Sequence, residues 1–264
     1  MGSPVLVERE GSIARLVLNR PDAGNAIDVG LADALARTAA EVADDPSVRC
    51  VMLTGAGRMF CVGGDIDGFS AAGDNAGAYL QALADRVHDA VKRLASMAKP
   101  LLVVVNGPAA GAGLSLAALG DVVLAGSSAH FTAAYSGIGL TADGGMSWLL
   151  PRLIGLRRAQ EMILTNARMS AVDAAAHGLV TRTVADEVLC AEGKVIAAKL
   201  SAAPTAALGA VRELLLDGAT ATFSDHLDRE AAVIAAAASG AEAREGIAAF
   251  LGRRKPDFGK TPRT

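Results

Sequence analysis

Aromatic side chains make up only 3% of this 264-residue chain: six Phe, two Tyr and one Trp. A core with so few large rings has to close through tight helix contacts between small residues, and alanine supplies many of them. Cysteine is nearly absent too. The three present, Cys50, Cys61 and Cys190, are an odd number in apolar settings, which argues against a disulfide framework and for a reducing compartment. No charge of one sign dominates, and a net charge of −3 gives no reason to expect a nucleic-acid partner. No apolar run reaches membrane-spanning length, and no basic region followed by an apolar stretch opens the chain. Position 6 is Leu, which breaks a myristoylation pattern after Gly2. The expectation is a soluble, cytoplasmic protein with no membrane partner.

What the chain does have is apolar residues and glycine. With 52% hydrophobic and 20% charged residues it is globular in composition and long enough to bury a substantial core. Its most informative stretch runs from Lys99 to Ala117. Leu101 to Val105 reads as a buried strand. A turn of Gly, Ala and Pro follows, and then a helix beginning near Gly113. Side chains are almost missing from that turn, so its backbone can come close to a ligand. The first amides of a helix have no internal partner, and such amides can hold fixed or transient negative charge.

Two familiar glycine motifs fit poorly. A dinucleotide fingerprint needs G-x-G-x-x-G with an acid some twenty residues on, whereas here the glycines fall at 107, 111 and 113 and the next acid is Asp121. Gly113-Leu-Ser115-Leu-Ala117 is nearer to a hydrolase nucleophile elbow, but Ser115 lies inside the predicted helix rather than on a sharp turn. A serine hydrolase therefore stays a minor reading, one that would need a His beside Ser115.

Along the chain, Ile13 to Leu18 alternates as a strand, and Pro21 to Asn25 is a turn. Asp28 can cap a helix running to about Asp44. Val48 to Thr54 is an apolar strand, and Gly63-Gly64-Asp65 is a second place where amides could be bare. A polar stretch from Ser70 to Gly77 leads to a helix ending near Met97. Val122 to Ala125 and Ala129 to Thr132 read as strands, Ser147 to Leu153 and Leu156 to Thr165 as helices. Ser170 and Asp173 open a capped helix that ends at Gly178, and Leu179 to Val184 returns as a strand. From about Glu187 to Gly252 the pattern is helical, with a break near Ser201 to Pro204. The order predicts an α/β core followed by an all-helical region.

Taken together, Arg20-Pro21 with Asn25-Ala26, Phe60-Cys-Val-Gly63-Gly64-Asp65-Ile66, Asn106-Gly107 through Gly113, Gly139 through Gly145, and Leu179-Val180 closely resemble the crotonase (enoyl-CoA hydratase/isomerase) family. The resemblance covers nearly the whole chain, down to Phe250-Leu-Gly-Arg253-Arg254-Lys255-Pro256. It implies a spiral of ββα units over residues 1–199, holding an acyl-CoA site. It also implies a helical trimerisation region over residues 200–264, the chain forming a homotrimer or a hexamer built as a dimer of trimers. No cofactor is implied, coenzyme A being part of the substrate. Matched by position, the amides of Gly64 and Ala112 would hold the thioester oxygen as an oxyanion hole. Ala at 112 where Gly is commoner keeps the N–H. Ala26, Asp65, Ile66, Asp67 and Tyr135 would join Gly64 and Ala112 in binding substrate, the segment from Gly64 to Asp67 through backbone groups.

The positions of the two hydratase carboxylates hold Ser115 and Tyr135. A hydroxyl with no base beside it cannot take a proton from water near neutral pH, so efficient hydration is not expected. Asp143 stands where some double-bond isomerases of the family carry their acid/base, and one carboxylate suffices for isomerisation. Asp-Gly-Gly is also an ordinary turn, and Asp143 could merely cap the next helix. Isomerisation of an enoyl-CoA is the preferred reading. Hydration or other enolate chemistry with an unrecognised base is the alternative, and non-catalytic acyl-CoA binding is a third. His88, His130, His177 and His226 lack ligand spacing, so no metal site is expected. Cys61 reads as core. Arg253, Arg254, Lys255 and Lys260 would either meet CoA phosphates or form a solvated basic tail.

Overall fold

The computed structural model describes residues 2–261. Strands β1 (Val5–Glu10), β2 (Ile13–Leu18), β3 (Cys50–Gly55), β4 (Leu101–Val105), β5 (Ala109–Ala110), β6 (Val122–Gly126), β7 (His130–Thr132), β8 (Arg168–Ser170) and β9 (Arg182–Val184) form two sheets. The larger has the order β1-β2-β3-β4-β6-β9, and the smaller β5-β7-β8. Only the β1–β2 and β7–β8 pairs are antiparallel.

Every residue of β3 and β4 is buried. That is why both read as unbroken apolar runs: parallel strands with helices on both faces need apolar residues on both. On one face lie helices α1 (Val29–Asp44), α2 (Ile66–Ala71), α3 (Ala76–Ser96) and α4 (Ala112–Ala118), sharing a core with Val51, Leu53, Val103 and Val105. After α5 (Met146–Ile154), α6 (Leu156–Thr165) and α7 (Ala171–His177), helix α8 (Asp186–Ser201) covers the other face. There Leu189 and Ala197 pack on Cys50, Met52, Leu102, Val104 and Leu124.

Several local expectations hold to the residue. The Asp28 carboxylate accepts from Leu31 N at 2.8 Å and opens α1, and the Ser170 hydroxyl does the same for Asp173 N at the start of α7. Others need correction. The strand expected from Leu179 begins only at Arg182, because the Leu179 and Val180 amides both turn back to Ala174 O. The polar stretch from Ser70 to Gly77 is partly helical: it takes in the end of α2, whose N-cap is Asp65 accepting from Asp67 N, and the start of α3. β1, with few buried residues, carried no strand alternation strong enough to read.

Helices α9 (Thr205–Gly218), α10 (Phe223–Ala238) and α11 (Ala241–Leu251) follow a break after Ser201. Buried Arg49 ties them to the sheet, donating to the Ser201 and Ala203 carbonyls at 2.7 and 2.8 Å and pairing with Glu242 at 3.6 Å. Glu242 in turn accepts from the first amides of α9. No residue of α10 is buried, and Phe223, Phe250 and Leu251 are 81%, 83% and 76% exposed. Among the described residues no single helix is long and apolar enough to cross a membrane.

Candidate active site

Parallel neighbours β3 and β4 end side by side, so the loops leaving them are brought together whatever their separation in sequence. Thr54 pairs with Val104, and beyond them the two loops continue to zip. Cys61 bridges Ala109, with Ala110 N donating to Cys61 O at 2.9 Å. The Asn106 side chain accepts from Gly55 N at 3.1 Å and donates to Gly57 O at 3.0 Å. Glycine is required where these backbones touch: a Cβ at Gly107 would lie 2.0 Å from Arg58 O, and one at Gly113 2.1 Å from Cys61 O.

A third segment fixes Gly64. Ile27 pairs with it as a parallel bridge, Ile27 N donating to Gly63 O at 2.7 Å and Asp65 N to Ile27 O at 3.0 Å. This pattern uses the groups on either side of Gly64 and leaves its own N–H over. Buried Asn25, at φ 57°, organises the approach: it accepts from Arg20 N and donates to the Ala56, Met59 and Phe60 carbonyls. Arg20 reaches the Ala26 carbonyl and pairs with Asp65 at 3.0 Å and Asp28 at 3.2 Å.

Ala112 opens α4, so its N–H has no helical partner. Neither the Gly64 nor the Ala112 amide has a protein acceptor among the described residues. The two segments touch: a Cβ at Gly63 would lie 3.5 Å from Ala112 N. Both border one cavity of about 570 Å³, walled by Phe69 and by Leu80, Leu83, Ala84 and Val87 on one face of α3, with Ile138 and Leu140 opposite. That helical face, spaced i, i+3, i+4, i+7, is the signal by which the cavity wall could have been read from sequence.

Asp143 is the only carboxylate lining this cavity among the described residues. The Tyr135 hydroxyl donates to its Oδ1, and Ser115 Oγ donates to its main-chain carbonyl at 2.9 Å. Burial, and next the charge of Asp143, push the Tyr135 hydroxyl well above its ordinary value, so it stays protonated as a donor. Ser115 is fully buried, and its hydroxyl points to a carbonyl rather than an imidazole; this removes the hydrolase reading. Gly144 N donates to His88 Nε2 at 3.1 Å, a contact that no spacing in the sequence announced.

The structure thus gathers Ala26, Gly64, Ile66, Ala112, Tyr135 and Asp143 around one space. Asp65 and Asp67 do not line it; Asp65 is engaged by Arg20 and by the start of α2. Cys61 is buried, and burial raises its thiol to about 12. In the tail, Arg254 is held by Glu245 at 2.6 and 2.8 Å and Lys260 by Asp257 at 2.9 Å. Arg253 and Lys255 form no ion pair among the described residues.

Known proteins resemble this chain over nearly its whole length. A profile of the Enoyl-CoA hydratase/isomerase family matches residues 8–261. The chain is 37% identical over 255 residues to a 1,2-epoxyphenylacetyl-CoA isomerase of Escherichia coli K12, covering 96% of this chain and 97% of that one. It is 36% identical over 246 residues to a probable enoyl-CoA hydratase of Rhodobacter capsulatus, covering 93% and 94%. The crystal structure of an enoyl-CoA hydratase from Polaromonas sp. JS666 superposes with a TM-score of 0.92 at 32% identity, covering 96% and 98%. With its bare amides, its paired loops and its matched length, the chain belongs to the enoyl-CoA hydratase/isomerase, or crotonase, family.

Proposed function

We propose that this protein moves the double bond of an enoyl-CoA thioester, with Asp143 carrying the proton and the Gly64 and Ala112 amides holding the enolate oxygen. One observation carries the reading: a single carboxylate faces the cavity that both unpartnered amides border. The Asp143 carboxylate takes a proton from the carbon beside the thioester of a 3-enoyl-CoA. The electron pair moves onto the thioester oxygen as a dienolate. Two preset N–H donors stabilise that charge more than the neutral ground state, each worth roughly 3 kcal/mol in rate. The same carboxyl then returns the proton two carbons further along, and the double bond ends between the second and third carbons. No second acid or base is needed.

Hydration by a pair of carboxylates would need a second acid/base group on the cavity wall beside Asp143. Ser115 and Tyr135, at the corresponding positions, both spend their hydroxyls on Asp143. The apolar wall, with no cation among its described residues, suits a hydrocarbon acyl group rather than a carboxylated one. Coenzyme A enters as part of the substrate, and no cofactor is invoked.

The test is to offer 3-enoyl-CoA and 2-enoyl-CoA separately. Consumption of the first to give the second, lost in Asp143→Asn, is expected. Hydration of 2-enoyl-CoA without isomerisation overturns the reading, as does full isomerase activity in Asp143→Asn. Tight acyl-CoA binding with no turnover of either substrate makes the protein a binder. The exposed apolar residues of α10 and α11 further support assembly through the region 200–264 as a trimer or a dimer of trimers. Light scattering on the purified protein tests this, and a monomer at micromolar concentration refutes it.

A further inference from the structure

The peptide unit joining Asp143 to Gly144 is gripped at both ends. Its carbonyl accepts Ser115 Oγ at 2.9 Å and Met146 N at 3.1 Å. Its N–H donates to His88 Nε2 at 3.1 Å. Little else would hold this plane, because Gly144 and Gly145 follow at φ +62° and +85°, a backbone with glycine's full freedom. The two grips come from elements that also build the cavity. Ser115 stands on α4, the helix opened by Ala112, and His88 stands on α3, directly after the wall residue Val87. Nε2 can accept only as a neutral imidazole with its proton on Nδ1.

We propose that His88 is a positioning residue: with Ser115 it locks the Asp143–Gly144 peptide plane, so that the Asp143 carboxylate keeps a fixed place relative to the Ala112 amide. Tyr135 sets the rotation of the carboxylate, and His88 sets the backbone from which it hangs. The inference rests on Asp143 as the proton carrier. A proton carrier is sensitive to such placement, since a shift of about 1 Å can cost roughly a hundredfold in rate.

Steady-state kinetics on 3-enoyl-CoA with the full-length protein tests this through His88→Ala, His88→Gln, Ser115→Ala and the double variant His88→Ala/Ser115→Ala. His88→Ala is expected to lower kcat about ten- to a hundredfold, with KM within about twofold and the melting temperature little changed. Gln offers an oxygen at a similar reach, so His88→Gln is expected to recover most of the rate. Both side chains hold one plane, so the double variant is expected to lose less than the product of the two single losses. Should His88→Ala not fold, His88→Leu takes its place against His88→Gln. Full kcat in His88→Ala, with Asp143→Asn inactive, overturns the positioning role and leaves the isomerase reading intact. Equal rate losses in the Ala and Gln variants, tracking a fall in melting temperature, mark His88 as packing only and overturn it too. Activity in Asp143→Asn sinks the underlying reading and this inference with it.

Discussion

The two sides of the cavity are made of different material. One is backbone: the amides of Gly64 and Ala112, held by bridges from Ile27 to Gly64 and from Cys61 to Ala109. The other is side chain: Asp143, with Tyr135 on its carboxylate, Ser115 on its carbonyl and His88 one bond further along. The backbone side depends little on which small residue is present, provided the N–H remains, and is strict about any added bulk. The side-chain side depends wholly on chemical identity. In the proposed reaction the first would set what kind of intermediate is stabilised, and the second what is done with it.

That contrast can be broken in graded steps. The largest effect is expected from Asp143→Asn, a loss of about a hundred- to ten-thousandfold in kcat with unchanged melting temperature. Calorimetry and kinetics together check it, and a large loss of stability would mean that Asp143 is structural. Gly113→Ala should act in the opposite way. Its Cβ would lie 2.1 Å from Cys61 O, where no flexible side chain can yield, and about 1–3 kcal/mol of stability should be lost in denaturant titration. Tyr135→Phe removes one hydrogen bond to a charged group and should cost roughly tenfold in kcat. Ala112→Gly keeps the N–H and should leave kcat within about twofold, at a stability cost below about 1 kcal/mol. A large rate loss there would show that the methyl, not the amide, matters.

The smallest expected effects concern pH and thiols. Because the folded state raises the Tyr135 hydroxyl above its ordinary value near 10, its bond to Asp143 is fully present below pH 10 and is lost only above that folded value. On the alkaline side, wild type and Tyr135→Phe should then show the same profile from neutral pH up to about pH 10. An alkaline limb below that pH seen only in wild type would contradict the placement. Burial holds the Cys50 and Cys61 thiols at about 12, so a thiol reagent near neutral pH should modify only exposed Cys190 in the native protein.

Reading the sequence succeeded wherever chemistry was local. α1 and α7 announce themselves through Asp28 and Ser170, because a capping side chain lies within three residues of the amide it satisfies, and α6, which has no side-chain cap, through its spacing. It failed where strands are short or exposed. β5 and β8, of two and three residues, are held by pairing with β7 between them, and β5 also by its bridge to Cys61, and Leu179 was drawn away from a strand by the carbonyl of Ala174. In the site, the glycine stretches around residues 64 and 112 were legible because close backbone approach leaves a compositional mark. His88 left none, since one histidine on an amphipathic helix looks alike whether it faces solvent or a loop.

The sequence by itself determined the family and the two stretches of bare backbone, and through the resemblance it implied that Ser115 and Tyr135 stand at the two hydratase carboxylate positions, because each is a matter of residue type at a position. Only the tertiary structure decided that those two hydroxyls turn onto Asp143, that Asp65 is spent on Arg20, and that His88 reaches Gly144. The physical reason is range. Hydrogen bonds act over about 3 Å in space, and the sheet, by setting β3 beside β4 and the helices over both, chooses which distant side chains come that near.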